Sequence, residues 1–155
     1  MKYKNKICFA ASSGGHLEEI SRLSPLAKEN DFLFTEKSNF NNVTWCKNIS
    51  YVSQINRKEI FFIPKFLKLF FVSFFILLKE KPDVIISTGA LVTFPISIIG
   101  KFLGKKIIYI ESFARIDSAS LTGKLFYKIA DVFIVQWEEM LKIFPNAIYA
   151  GGGIF

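Results

Sequence analysis

Five consecutive small or polar residues near the amino terminus are the best candidates for chemistry in this chain. They are Ser12, Ser13, Gly14, Gly15 and His16. The apolar run at residues 7–10 before them predicts a strand, and the helical spacing of Leu17, Ile20 and Leu23 after them predicts a helix. Glycines in such a loop let the backbone adopt positive φ and leave room for a ligand. Free N–H groups at the start of the helix attract anionic or hydroxyl-rich ligands.

His16 is the one histidine of the chain and lies at the mouth of this loop. The positive end of a helix disfavours a protonated imidazole, so we expect a neutral side chain that accepts a proton near pH 7. This chemistry suits general-base catalysis on a hydroxyl group. The alternative is an ordinary strand-to-helix turn, in which the glycines only relieve crowding and the histidine is structural.

Composition and charge narrow the class of protein. The 155 residues suit one domain with a real core, and a hydrophobic content of 51% excludes general disorder. A mean hydropathy of +0.33 suggests surface that a membrane or another protein covers. The net charge of +7 suits anionic lipid, an anionic substrate or nucleic acid, but no basic-aromatic motif or zinc-finger spacing supports nucleic acid. Two unpatterned cysteines and the lack of a signal-peptide core predict a cytoplasmic protein.

The rest of the chain alternates between strand and helix patterns. Strands are predicted at residues 31–35, 49–52, 83–87, 106–110, 132–135 and 147–150, and helices from near Pro64 and at residues 94–103, 121–130 and 137–144. This alternation predicts an α/β fold, a single Rossmann-like doubly wound parallel sheet with helices on both faces. In such sheets, ligands bind at the carboxyl ends of the strands.

Two further polar clusters follow predicted strands, so we expect both beside the glycine loop. Thr88 and Gly89 end one strand, and Glu111, Ser112 and Arg115 follow another. Glu111 is expected to orient a bound hydroxyl compound or to act as an alternative base. The guanidinium of Arg115 matches the geometry of a phosphate. The alternative for Glu111 and Arg115 is a pair of solvent-exposed loop residues.

The segment from Ile60 to Leu78 is unusually apolar, with 15 apolar residues among 19. As a helix, it would carry its lysines along a narrow stripe beside a broad apolar face. It is interrupted by Pro64 and two lysines, whereas a membrane span needs about 20 apolar residues. We therefore predict a helix that packs on the sheet and dips into an anionic membrane interface, with a buried helix as the alternative. Its predicted membrane residues are Phe61, Phe62, Lys65, Phe66, Lys68, Phe70, Phe71 and Phe74.

The order of these motifs resembles the amino-terminal half of GT-B glycosyltransferases. The residues that carry the resemblance are Ser13-Gly14-Gly15-His16, the run from Lys81 to Gly89 with Pro95 behind it, and Ile110-Glu111-Ser112. The chain resembles the membrane-associated subunit of the two-chain transferase that adds the second N-acetylglucosamine to dolichol-linked sugar. Bacterial relatives of that subunit act in capsule and exopolysaccharide assembly. The one-chain peptidoglycan N-acetylglucosaminyltransferase has a similar Gly-rich loop ending in His.

The resemblance implies that residues 1–155 form one acceptor-side GT-B domain, with residues 60–78 as its membrane-interface helix. Because the chain ends at Phe155, near the expected interdomain linker, a separate donor-binding subunit is expected as a heterodimeric partner. The chain would then be one subunit of a hexosyltransferase, inactive alone and peripheral at the cytoplasmic face of the membrane. It would bind a lipid-linked sugar acceptor in capsule or exopolysaccharide synthesis, while the partner binds the nucleotide sugar.

The resemblance also implies roles for individual residues. His16 or Glu111 would be the catalytic base. Acceptor binding would fall to Ser12, Ser13, Gly14, Gly15, Thr88, Gly89, Ser112 and Arg115. No cofactor or metal is expected, because helix dipoles and basic groups can stabilise a leaving diphosphate in GT-B enzymes.

Two other functions stay open. One is a non-catalytic scaffold that docks and activates the catalytic partner. The other is a self-sufficient nucleotide-binding α/β enzyme, which the absence of a complete G-x-G-x-x-G fingerprint disfavours.

Overall fold

A computed structural model describes residues 5–38, 42–56 and 58–151. Within these ranges seven strands form one sheet, and every neighbouring pair is parallel. The strands are β1 (Ile7–Ala11), β2 (Phe32–Glu36), β3 (Asn48–Val52), β4 (Val84–Gly89), β5 (Lys106–Ile110), β6 (Val132–Val135) and β7 (Ile148–Tyr149). Their order across the sheet is β3-β2-β1-β4-β5-β6-β7, which confirms the predicted doubly wound fold.

Helices cover both faces of the sheet, as predicted. They are α1 (Gly15–Ser21), α2 (Phe62–Glu80), α3 (Phe94–Phe102) and α4 (Leu121–Phe126), with 3-10 turns at Ser24–Leu26, Leu91–Thr93 and Glu138–Lys142. One core cluster joins α2, α3 and α4 to one face. The other joins α1 and the segment around Trp45 to the opposite face. Because both faces are covered, the central strands are continuous apolar runs.

Two helices differ from the prediction. Residues 137–144 form a 3-10 helix at Glu138–Lys142 and not an α-helix, because N–H groups bond to carbonyls three residues back, Met140 to Trp137 at 3.2 Å and Ile143 to Met140 at 3.0 Å. The helix predicted at residues 121–130 ends at Phe126, where the backbone tightens into turns before β6. The helix α2 begins at Phe62, two residues before Pro64, and ends at Glu80. Lys81 follows in the left-handed conformation (φ 47°) and precedes Pro82, where the helix was expected to end.

The sheet order places a crevice between the carboxyl ends of β1 and β4. The chain leaves β1 for β2 on one side, while β4 joins β1 on the other side. This reversal is where doubly wound sheets bind ligands. The loop that ends in His16 and the turn at Gly89 both lie at this point.

Candidate functional site

The glycine loop is tied to the end of β4. The register between β1 and β4 shifts after Ala10, because Ala11 pairs with Gly89 and leaves Thr88 as an extra residue in β4. The Ser12 N–H donates to the Gly89 carbonyl at 2.8 Å, and the Thr88 hydroxyl donates to the His16 carbonyl at 2.8 Å. Thr88 is fully buried. The hydrogen bond from its hydroxyl therefore positions the His16 backbone.

Glycine is required where the His16 ring lies. A Cβ on Gly89 would lie 3.2 Å from His16 Cε1 and 3.4 Å from His16 Nδ1, and Gly89 has a φ of +105°. Gly14, the residue before α1, also needs positive φ, at +81°. The imidazole is 30% exposed, but its Nδ1 is buried, so solvent reaches the ring through its other atoms.

A carboxylate that the sequence analysis did not select, Glu19, faces this ring. Its Oε2 lies 3.7 Å from His16 Nδ1, while its Oε1 accepts hydrogen bonds from the Ser112 hydroxyl at 2.7 Å and the Phe113 N–H at 3.0 Å. Burial raises the pKa of Glu19, but the facing imidazole and these donors outweigh burial and leave the pKa below its usual value. Its spacing of three residues from His16 on a helix was the available signal.

Glu111 lies deeper, with 1% of the residue exposed, which excludes the alternative of an exposed loop carboxylate. Its oxygens accept from the Ser120 hydroxyl at 3.0 and 3.2 Å, from the Ser112 N–H at 3.1 Å and from the Tyr109 hydroxyl at 3.4 Å. Burial raises the pKa of Glu111 above its usual value although these donors oppose the rise. A Cβ on Gly123 would lie 1.8 Å from Glu111 Oε2, so glycine makes room for the carboxylate.

A cavity of about 320 Å³ opens at this edge of the sheet. It brings together predicted site residues from two separate loops, His16 from one and Ser112 and Arg115 from the other. The other lining residues are Ala90, Tyr109, Ala114, Ser120, Leu121 and Thr122. Hydroxyls, an imidazole and a guanidinium around one cavity suit a polyhydroxylated, anionic ligand.

Ser12 and Ser13, the first two residues of the loop, do not line this cavity. Ser12 lines a neighbouring cavity of about 230 Å³ together with Glu36, another residue that sequence reasoning missed. Glu36 accepts from the Ser13 N–H at 3.3 Å and from the Ile55 N–H at 3.0 Å. It therefore joins the glycine loop to the segment that leads into α2.

The helix α2 presents an uncovered apolar face. Leu69, Ser73 and Leu77 are buried against the sheet and α3. Five of the predicted membrane residues are exposed, namely Phe61, Lys65, Lys68, Phe71 and Phe74. The other three are half-buried, namely Phe62, Phe66 and Phe70. The exposed face also carries Ile63, Leu67, Phe75 and Leu78, which the prediction did not include.

Lys65, Lys68 and Lys79 flank this face along one side of the helix, as predicted from their spacing. Lys65 is paired with Glu59. Among the described residues, no helix combines the length and the apolar character needed to cross a membrane.

The fold corresponds to one half of a GT-B-like fold. Residues in 93% of this chain superpose on MurG of Acinetobacter baumannii with a TM-score of 0.68 and 17% identity. The UDP-GlcNAc 2-epimerase of Methanocaldococcus jannaschii superposes on 91% of the chain, with a TM-score of 0.68 and 13% identity. The matched part covers 44% and 42% of those two chains, so the likeness shows the fold of one half.

The chain belongs to the family described as "Oligosaccharide biosynthesis protein Alg14 like", whose model matches residues 27–153. A rat relative named UDP-N-acetylglucosamine transferase subunit ALG14 is 29% identical over 94% of this chain and 81% of its own length. The protein of that name from Candida albicans is 38% identical over 63% of this chain and 47% of its own length. The family resemblance predicted from the motifs is thereby confirmed at the level of the Alg14-like family.

Proposed function

We propose that this protein is the acceptor-binding and membrane-recruiting subunit of a two-component glycosyltransferase. A separate donor-binding subunit would supply a nucleotide sugar, and UDP-N-acetylglucosamine is the donor that the names of the relatives suggest. The main support for this function is that His16, Ser112 and Arg115 all line one cavity at the carboxyl edge of the sheet. The acceptor would be a lipid-linked sugar. The comparisons lend no support to a capsule or exopolysaccharide context, so the proposal does not include one.

His16 is the proposed general base. Its ring is 30% exposed and lines the cavity, so an acceptor hydroxyl can reach it. Glu111 is 1% exposed, and Ser120, Tyr109 and the Ser112 N–H occupy its oxygens. Glu111 therefore suits a positioning role, in which its carboxylate fixes two hydroxyls that line the cavity.

Arg115 is the proposed contact for the acceptor's diphosphate. It lies in the loop after β5, is exposed and lines the same cavity as His16. A guanidinium binds phosphate oxygens through paired hydrogen bonds. The charged linkage of a lipid-linked sugar would then lie near Arg115 and its sugar hydroxyl near His16.

The proposed reaction is a displacement at the anomeric carbon of the donor sugar. The acceptor hydroxyl oxygen bonds to that carbon while His16 takes the hydroxyl proton. The bond between the anomeric carbon and the nucleoside diphosphate breaks, and the diphosphate leaves with the electron pair. The partner subunit would bind this leaving group.

The exposed face of α2 is the proposed membrane contact. It combines exposed phenylalanines with flanking lysines, and an interfacial helix is bound by such apolar area together with attraction to anionic lipid. Each lysine near an anionic surface contributes about 1 kcal/mol. The protein would then be peripheral, and we propose the cytoplasmic face of the membrane as its location.

The test is transfer by the chain reconstituted with its donor-binding partner on vesicles that contain the lipid-linked acceptor. His16→Ala should lower the turnover by about 10²–10⁴-fold, since that is the usual cost of removing a general base. Circular dichroism and co-sedimentation with the partner should match the unsubstituted protein. Glu111→Gln is measured in parallel, because Glu111 is the rival base.

The outcomes separate the candidate functions. Near-normal turnover of His16→Ala with an inactive Glu111→Gln would move the base to Glu111. If both variants stay active, the chain is a scaffold that activates its partner and contributes no reacting group.

A further inference from the structure

Two buried polar atoms face each other at the edge of the cavity. His16 Nδ1 and Glu19 Oε2 are both inaccessible to solvent, and neither has a hydrogen-bond partner among the described residues. They lie 3.7 Å apart, just beyond hydrogen-bond distance. Buried polar atoms are normally paired, so this arrangement suggests a contact that tightens during function.

We propose that Glu19 is the positioning residue for His16. Its carboxylate accepts a hydrogen bond from Nδ1–H, which fixes the neutral imidazole in the tautomer whose Nε2 carries the lone pair. That nitrogen is then the one that takes the proton of the acceptor hydroxyl. This inference rests on the proposed role of His16 as the base.

The surroundings hold both partners so that a small movement closes the contact. The Ser112 hydroxyl and the Phe113 N–H fix Glu19 through its other oxygen. The Thr88 hydroxyl fixes the His16 backbone, and Gly89 leaves the space that the ring occupies. The pKa of Glu19 is lowered although burial raises it, so the carboxylate stays charged where it faces Nδ1.

The carboxylate also serves the charge that forms in the reaction. When Nε2 takes the acceptor proton, the imidazole becomes an imidazolium with an N–H at both nitrogens. A negative group facing Nδ1 stabilises that cation, and a carboxylate that orients an imidazole base plays this part in other enzymes. No further reactant is needed, because the proton leaves the acceptor and remains on His16 until solvent removes it.

The tautomer can be measured directly in the full chain, because its one histidine gives one set of imidazole signals. Long-range proton–nitrogen NMR on the nitrogen-15-labelled chain, at about pH 8.5 and above the usual histidine range, reports which nitrogen carries hydrogen. We expect Nδ1–H in the unsubstituted chain. Glu19→Gln should shift the population to Nε2–H, since the amide keeps an oxygen for Ser112 but can turn an NH₂ toward Nδ1.

Glu18→Gln is the matched control. Glu18 is the preceding residue, is exposed and pairs with Arg22 at 3.5 Å, so its loss should leave the tautomer unchanged. An Nε2–H tautomer in the unsubstituted chain would overturn the proposal. The same shift in both variants would also overturn it, because the effect would then not depend on the facing carboxylate.

Transfer by the reconstituted complex gives the second measurement. Glu19→Gln should lower kcat by about tenfold or more, but by no more than removal of the base does, which is about 10²–10⁴-fold. The KM for the acceptor should be nearly unchanged. Unchanged kcat in a Glu19→Gln variant whose tautomer has shifted would overturn the positioning role. Full turnover by His16→Ala would instead overturn the base assignment. If His16→Ala is inactive but the unsubstituted chain holds the Nε2–H tautomer, the role of Glu19 alone is overturned.

Discussion

Replacing Gly123 with alanine should destabilise the protein, although alanine normally favours a helix. Gly123 lies in the first turn of α4, where alanine would ordinarily gain up to about 1 kcal/mol over glycine. Here the added Cβ would lie 1.8 Å from Glu111 Oε2 and 2.9 Å from Glu111 Cδ. The buried carboxylate must therefore leave its position.

The size of the effect follows from the contacts that are lost. Displacing the carboxylate breaks the hydrogen bonds from the Ser120 hydroxyl and the Ser112 N–H. Hydrogen bonds to a charged group contribute about 1.5–3 kcal/mol each. Two of them, less the gain in helix propensity, give a net loss of about 2–5 kcal/mol in the free energy of unfolding.

A double-mutant cycle with Glu111→Ala tests the cause, with unfolding followed in urea. In the Glu111→Ala background the clash with the carboxylate is absent and only the contact with Ser120 Oγ at 3.0 Å remains, so Gly123→Ala should cost much less than in the unsubstituted chain. Gly15→Ala is the control, since its Cβ would meet no atom within 4 Å. An equal loss from Gly123→Ala in both backgrounds would refute the explanation.

Three further outcomes are expected. Reversing the charge of Lys65 and Lys68 should release the protein from anionic liposomes, while reversal at the exposed Lys124 and Lys128 of the α4 region should not, and salt should weaken binding. Because burial raises the pKa of Glu111, the folded state binds more protons than the unfolded state between about pH 4.3 and the raised pKa. Stability should therefore fall as pH rises through that window, and Glu111→Gln should remove this slope in urea unfolding. The chain without its partner should transfer no sugar in an assay with nucleotide sugar and lipid-linked acceptor, as expected for a subunit.

The sheet could be predicted because its central strands are buried on both faces. Burial on both faces demands continuous apolar runs, and such runs are visible in a sequence. The strands at Lys106–Ile110 and Val132–Val135 have the predicted bounds. Since the carboxyl ends of parallel strands share one edge, His16, Ser112 and Arg115 were expected close together from their positions after predicted strands.

Contacts between distant residues could not be predicted in the same way. Glu36 reaches the glycine loop from the end of β2, and nothing in its local pattern marks it. The burial of Glu111 depends on Gly123 in another element. The rotation of α2 also follows from packing, because a helix with apolar residues on most sides does not show which side faces the sheet.

The direction of α2 links the membrane contact to the cavity. The helix follows β3 and precedes β4, so it starts at the carboxyl edge of the sheet and ends at the amino edge, where Glu80 pairs with Lys6 at 2.8 Å. Its 19 residues span about 28 Å. Apolar side chains are widely exposed around its start, at Ile60 (95%), Phe61 (68%) and Ile63 (68%), and again in its middle at Phe71 (69%).

This is the edge at which His16 and Arg115 line the cavity. A sugar on a lipid diphosphate remains within a short distance of the membrane, because its lipid chain stays in the bilayer. If the start of α2 enters the interface, the cavity is held at the depth of the lipid headgroups, and Arg115 can meet the diphosphate without extraction of the lipid. The apolar start of α2 and the polar cavity would then serve the same ligand, one by holding the protein at its lipid and the other by holding its sugar.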